Sequence, residues 1–270
     1  ADNITKVYAL NINSRELLWS KNNPSAFNSE IKIYKDQFFL IDYENILRSF
    51  SVKDGKEIWN IKTENSILKS QKKLSLVIKE DKIIFNNSIG DITAVDINGN
   101  LLWMVPTSKS QNSSSTYFLK MSNLLIEKDS VYFSSNRNEF YSIDINNGLI
   151  NWVQNINSSL RSTIIDQMIF SVSDEGYFVT VNSKTGEIIR RTDLFSDIKK
   201  RKRKKIRTTG FVVGLNKIFI SLSNGKILIA DIKDGKTKSS IKIDNQYISR
   251  PFVQNKELFV IKDNGIIKIQ

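Results

Sequence analysis

One short phrase recurs along this chain of 270 residues, and it constrains the fold more than any single side chain does. It reads as an apolar run ending at Asp or a similar residue, a turn containing Gly, and a second run carrying Trp. Copies with both halves stand at 48–59, 92–103 and 140–152. Copies at 178–186 and 227–235 keep the front half without the Trp, and a copy at 7–19 keeps Trp19 but has Arg15 where the turn Gly belongs. A period of about 40–50 residues means that one supersecondary unit is repeated in a stacked or radial architecture.

Each copy follows two short apolar runs joined by a Gly or Asn turn. In 217–231, β-branched stretches flank Ser223, Asn224 and Gly225. Asn and Gly tolerate the positive φ that tight primed turns demand, so this pair reads as a hairpin. Equivalent pairs occur at 38–50, 83–95, 131–143, 168–181 and 258–269. The runs are too short and too continuous for amphipathic helices and fit strands buried on both faces. An apolar stretch before each hairpin and the strand after the second turn complete four antiparallel strands. Four-stranded units of this length are the blades of a β-propeller, whose closure removes exposed sheet edges. The expectation is therefore an all-β chain, a single domain over 1–270 of about six blades. Five are whole, starting near residues 28, 66, 116, 160 and 208, and the last is completed by strands from the N-terminus. If the chain is part of a longer protein, seven or eight blades are expected. No helix is predicted.

Composition narrows the chemistry. The chain has neither Cys nor His. The commonest general base, the commonest metal ligand and every thiolate are missing, which argues against hydrolytic and zinc chemistry. No apolar run approaches the roughly 20 residues needed to span a bilayer. The net charge of +12 is concentrated, because Lys199, Lys200, Arg201, Lys202, Arg203, Lys204, Lys205 and Arg207 supply eight of those charges. The rest of the surface carries no strong field.

The pattern Ala-x-Asp-x-x-x-Gly-x-x-x-Trp resembles the repeat of the pyrroloquinoline-quinone-type β-propellers, matched by Ala94, Asp96 and Trp103 and by Asp144, Gly148 and Trp152. Over the C-terminal half, the Pro251 strand, the Leu258–Lys262 hairpin strand and the Asp-Asn-Gly turn are similar to the BamB family of outer-membrane protein assembly lipoproteins. That resemblance implies a non-catalytic scaffold that binds the periplasmic domains of a barrel-assembly channel. It implies a periplasmic location at the outer membrane, with the signal or lipid-anchor segment outside this sequence, and a monomeric working unit. The family's partner-binding Leu-Arg loop corresponds either to Leu160 and Arg161, by local similarity, or to Leu68 and Lys69, by counting blades.

Ordinary explanations cover most of the conspicuous residues. Trp19, Trp59, Trp103 and Trp152 share one repeat position and read as staples between adjacent blades. This leaves no indole to stack on a quinone, and the family's vicinal cysteine pair is impossible here, so no cofactor and no enzyme activity are expected. Asp96, Asp144 and Asp231 precede the turns and read as acceptors for turn amides. One such residue per blade cannot assemble a calcium cage. The basic run at 199–207 reads as an insertion between blades, either a solvated, self-repelling loop or a site for an anionic surface such as lipid head groups. It contains no aromatic residue for stacking bases, which argues against single-stranded nucleic acid. The alternative reading of the whole is a degenerate quinone-dehydrogenase-like propeller with a ligand in its channel.

Overall fold

The computed structural model of the protein describes residues 5–64, 72–107 and 119–269. Among these residues five four-stranded sheets follow one another, each an antiparallel meander with its strands in sequence order. The first comprises β3 (Lys32–Tyr34), β4 (Gln37–Ile41), β5 (Ile46–Ser51) and β6 (Glu57–Lys62), and the second β7 (Leu76–Lys79), β8 (Lys82–Asn86), β9 (Ile92–Asp96) and β10 (Leu101–Val105). The third is built from β11 (Leu125–Glu127), β12 (Ser130–Ser135), β13 (Glu139–Asp144) and β14 (Ile150–Gln154). The fourth holds β15 (Thr163–Ile165), β16 (Met168–Val172), β17 (Tyr177–Asn182) and β18 (Ile188–Asp193). After a single helical turn, α1 (Lys200–Arg203), the fifth has β19 (Thr208–Gly214), β20 (Lys217–Leu222), β21 (Lys226–Asp231) and β22 (Thr237–Lys242). At the ends, β1 (Lys6–Leu10) and β2 (Leu17–Asn22) form a two-stranded sheet, and β23 (Phe252–Gln254), β24 (Glu257–Lys262) and β25 (Gly265–Ile269) a three-stranded one. This is the blade architecture of a β-propeller.

By packing, the chain divides into two compact units: Ala1–Val131 with Ile143–Asn151, and Tyr132–Ser142 with Trp152–Gln270. In the first, Phe39, Ile41 and Leu47 pack with Leu76, Ile83 and Phe85 of the following sheet. In the second, Phe170, Val172 and Phe178 pack with Phe211, Ile218 and Ile220. The middle strands are buried on both faces, as their unbroken apolar runs require. The outer strands are not: Ile58, Leu101, Leu102, Ile150, Ile188 and Ile189 are exposed. Burial on both faces therefore fails for each fourth strand, which has only one strand beside it.

Each tryptophan joins its own sheet to the next. Trp19 donates its indole N–H to the carbonyl of Val52 at 3.1 Å, Trp59 to Ile97 at 3.0 Å, Trp103 to Ile145 at 3.0 Å and Trp152 to Ser183 at 3.0 Å. Each acceptor lies in the turn that holds the repeat glycine, and each ring lies against that glycine. At Gly148, with φ of 76°, an added Cβ would stand 2.9 Å from the Trp103 ring. The glycine thus meets two demands at once, a left-handed turn and the close approach of an indole. The Asp residues organise the same turns. Asp96 Oδ1 accepts the N–H groups of Asn98 and Asn100, Asp144 Oδ1 that of Asn146, and Asp231 Oδ1 that of Lys233.

The first sheet contains one ionic group inside its packing. Arg48 donates Nε–H to Asp42 at 2.9 Å and Nη1–H to Glu57 at 2.8 Å, and the Asp42 side chain is fully buried. Asp42 also accepts the backbone N–H groups of Glu44 and Ile46.

Three stability outcomes follow from these contacts. Gly148→Ala should cost about 2–4 kcal/mol, combining left-handed strain with overpacking against Trp103, and Trp103→Phe about 1–3 kcal/mol through the orphaned Ile145 carbonyl. Urea unfolding midpoints check both, and midpoints equal to wild type would contradict the packing described. Arg48→Met should cost about 3–5 kcal/mol by leaving Asp42 buried without its cation, and Asp42→Asn in the same chain should recover part of that loss. Thermal unfolding of the single and double variants measures the recovery.

Candidate functional site

The tryptophan series stops after Trp152, and the structure changes where it stops. The equivalent positions hold Arg190 and Ser239. Thr192, two residues beyond Arg190 and so on the same face of β18, takes over part of the role. Its hydroxyl donates to the Asp234 carbonyl at 2.8 Å, and its side chain lies against Gly235 together with Phe178. A threonine fills much less space than an indole. Beyond it the chain leaves the sheet for residues 194–207 before entering β19.

That excursion is packed, not a featureless solvated loop. Leu194, Phe195 and Ile206 are buried in the same cluster as Leu222 and Leu228, and Phe195 lies against Gly176. Arg203 ties the segment together: Nη1 reaches Asp193 at 2.7 Å, Nε the Ile198 carbonyl at 2.7 Å and Nη2 the Ser196 carbonyl at 3.0 Å. Arg207 donates its backbone N–H to the Ser223 hydroxyl, accepts the Ser223 N–H at its carbonyl, and donates its guanidinium to the carbonyls of Lys204 and Ile206. These two arginines are therefore engaged within the fold. Lys199, Lys200, Arg201, Lys202, Lys204 and Lys205 are exposed and have no ion-pair partner among the described residues. The charged run has no apolar period that would predict this single turn of helix. Its anchors lie at the flanks.

Between the excursion and the fifth sheet lies a groove of about 620 Å³. Leu194, Ile198, Ile206, Leu222 and Leu228 form its apolar floor, Lys199, Lys202 and Lys226 stand at its rim with Asp197, and residues 237–240 of β22 make one wall. Lys238 is paired with Asp234 at 3.4 Å. The backbone N–H of Lys236, and then Lys238 itself, hold the Asp234 carboxyl below its usual range.

Leu160 and Arg161 lie in the segment entering β15. The Ser158 hydroxyl donates to the Val172 carbonyl at 2.8 Å, and Ser159 donates its N–H and hydroxyl to Asp174. Leu160 is half-buried and packs on the cluster that also carries Ile198, whereas Arg161 is exposed. Leu68 and Lys69 lie outside the described residues. Among the described residues no three Asp or Glu side chains gather to hold a metal ion, and no helix is long and apolar enough to cross a membrane.

Stapled four-stranded meanders with this turn chemistry define a β-propeller of the pyrroloquinoline-quinone-like repeat class. The family model described as outer membrane protein assembly factor BamB matches residues 1–192, and the chain belongs to that family. Among solved structures it is similar to BamB from Moraxella catarrhalis, with a TM-score of 0.81 and 17% identity over 98% of this chain and 78% of that one. It is also similar to the C-terminal WD40 domain of Sif2, with a TM-score of 0.71 and 14% identity over 97% and 74% of the two chains. Sqt1 of Saccharomyces cerevisiae gives a TM-score of 0.70 and 12% identity over 100% and 80%. No curated protein matches the sequence.

Arg203→Met should release the excursion while leaving the sheets in place. Limited trypsin digestion should then cut within 199–207 several-fold faster, with Tm changed by no more than about 2 °C. An unchanged cleavage rate would contradict the role assigned to Arg203.

Proposed function

We propose that this protein is a non-enzymatic interaction scaffold that assists the insertion of β-barrel proteins into a bacterial outer membrane, working in the periplasm against the barrel-assembly channel. The family match over 1–192 carries this reading. The physical chemistry agrees with it. Propeller sheets locked by indole and turn contacts hold their connecting loops rigidly, and such loops are where recognition resides. A sequence without His or Cys lacks the usual nucleophile–base pairs. The partner would be engaged through Arg161, with Leu160 shaping the backbone beneath it, or through Leu68 and Lys69.

Binding of purified periplasmic domains of a barrel-assembly channel tests the proposal. Arg161→Glu or Lys69→Glu should weaken binding by about tenfold or more, in line with the loss of a central arginine or lysine contact. Leu160→Ala, with its melting temperature measured alongside, separates contact from support. Wild-type affinity in both charge-reversed variants would overturn the site, and no binding by the wild-type protein would overturn the function.

A further inference from the structure

The groove between the excursion and β22 has three properties that together select a ligand. Its wall is a strand edge. Residues 237–240 that line it belong to β22, the outermost strand of the fifth sheet, which has β21 on one side only. The register says which main-chain groups of β22 point away from β21. Ile243 donates its N–H to the Gly225 carbonyl, and hydrogen-bonded pairs alternate along an antiparallel ladder. Ile241 and Ser239 therefore bond inward to β21, while Ser240 and Lys242 turn their N–H and C=O groups outward.

The second property is the apolar floor of Leu222 and Leu228, with the Asn224 Oδ1 buried nearby and lacking a hydrogen-bond partner. The third is charge. Lys199, Lys202 and Lys226 stand at the rim without carboxylate partners, against the single carboxylate of Asp197. Lysines beside a free edge repel basic strands from it and attract acidic ones.

We propose that this groove binds an extended acidic segment of a partner protein as an added strand. The segment's main chain pairs with Ser240 and Lys242, an aliphatic or aromatic side chain enters over Leu228, and its carboxylates meet Lys199, Lys202 and Lys226. The inference deepens the scaffold reading and rests on it for the partner being a protein. A membrane surface offers no strand to the outward N–H of Ser240 and does not fill a recessed apolar floor.

Fluorescence polarisation with a pooled set of labelled ten-residue peptides alternating Glu with Val, Ile or Phe tests it on the full chain. Micromolar binding is expected, weakening as salt rises from about 50 to 300 mM. The same peptides with Lys in place of Glu should bind at least about tenfold more weakly. Lys199→Glu with Lys202→Glu and Lys226→Glu should lower affinity for the acidic set by about tenfold or more. Ser240→Pro should abolish binding with Tm unchanged, because that N–H faces away from the ladder. Absence of binding to the acidic set, or affinity untouched by both variants, overturns the proposal. Vesicles of phosphatidylglycerol and phosphatidylcholine form the other arm. Binding to them that the charge reversals remove, with the peptides silent, overturns it in favour of a membrane contact. Arg161→Glu should leave peptide binding intact. Failure here with Arg161-dependent channel binding preserved sinks this inference alone, and the converse sinks only the scaffold site.

Discussion

An indole N–H donated across to the turn of the following sheet, over a glycine that has no Cβ, is the contact on which the rest of this structure depends. Meandering sheets meet one another mainly through apolar faces, and apolar contact is non-directional. The hydrogen bond adds direction. It fixes each outer strand against a particular carbonyl, and the left-handed glycine brings that carbonyl within reach. The Asp before the turn holds the loop in the conformation that exposes it. The indole–glycine contact repeats with Trp19, Trp59, Trp103 and Trp152, and in the last three the turn is ordered by Asp96, Asp144 and Asn182.

The departures from that contact are where the protein becomes individual. After Trp152 the staple shrinks to the Thr192 hydroxyl, and Leu194, Phe195 and Ile206 of the excursion that follows add to the apolar cluster of the fourth and fifth sheets. The same excursion carries the cationic run, so a structural substitution and a charged rim arise in one place. Arg203 faces inward and holds the segment, which lets its neighbours remain unpaired without the loop unravelling.

The repeats were legible because each carries turn residues with fixed backbone demands and apolar runs of strand length. The hairpins joining the two middle strands of the four-stranded sheets lie where Gly and Asn place them, whereas the turns before them at Lys35, Glu80, Lys128 and Asp166 put other residues at positive φ. What was not legible came from packing between distant segments. The exposure of Leu101 and Leu102 depends on their strand being outermost, which a run of apolar letters does not reveal. The helical turn at 200–203 depends on anchors beyond the charged run. The ion group of Asp42, Arg48 and Glu57 centres on Arg48, whose counterparts in the second and fourth sheets are Thr93 and Val179, so periodicity alone hides it. For the candidate contact, Leu160 is half-buried and Arg161 is exposed.

Hydrogen exchange of the four indole N–H groups tests the central contact most directly, since the chain contains only four tryptophans. Two-dimensional nitrogen–proton spectra should show the Trp103 and Trp152 indoles, both buried, exchanging on the timescale of the middle-strand amides, with Trp19 the fastest of the four. Exchange of all four indoles at the rate of a solvent-exposed tryptophan would contradict a fold held by these bonds.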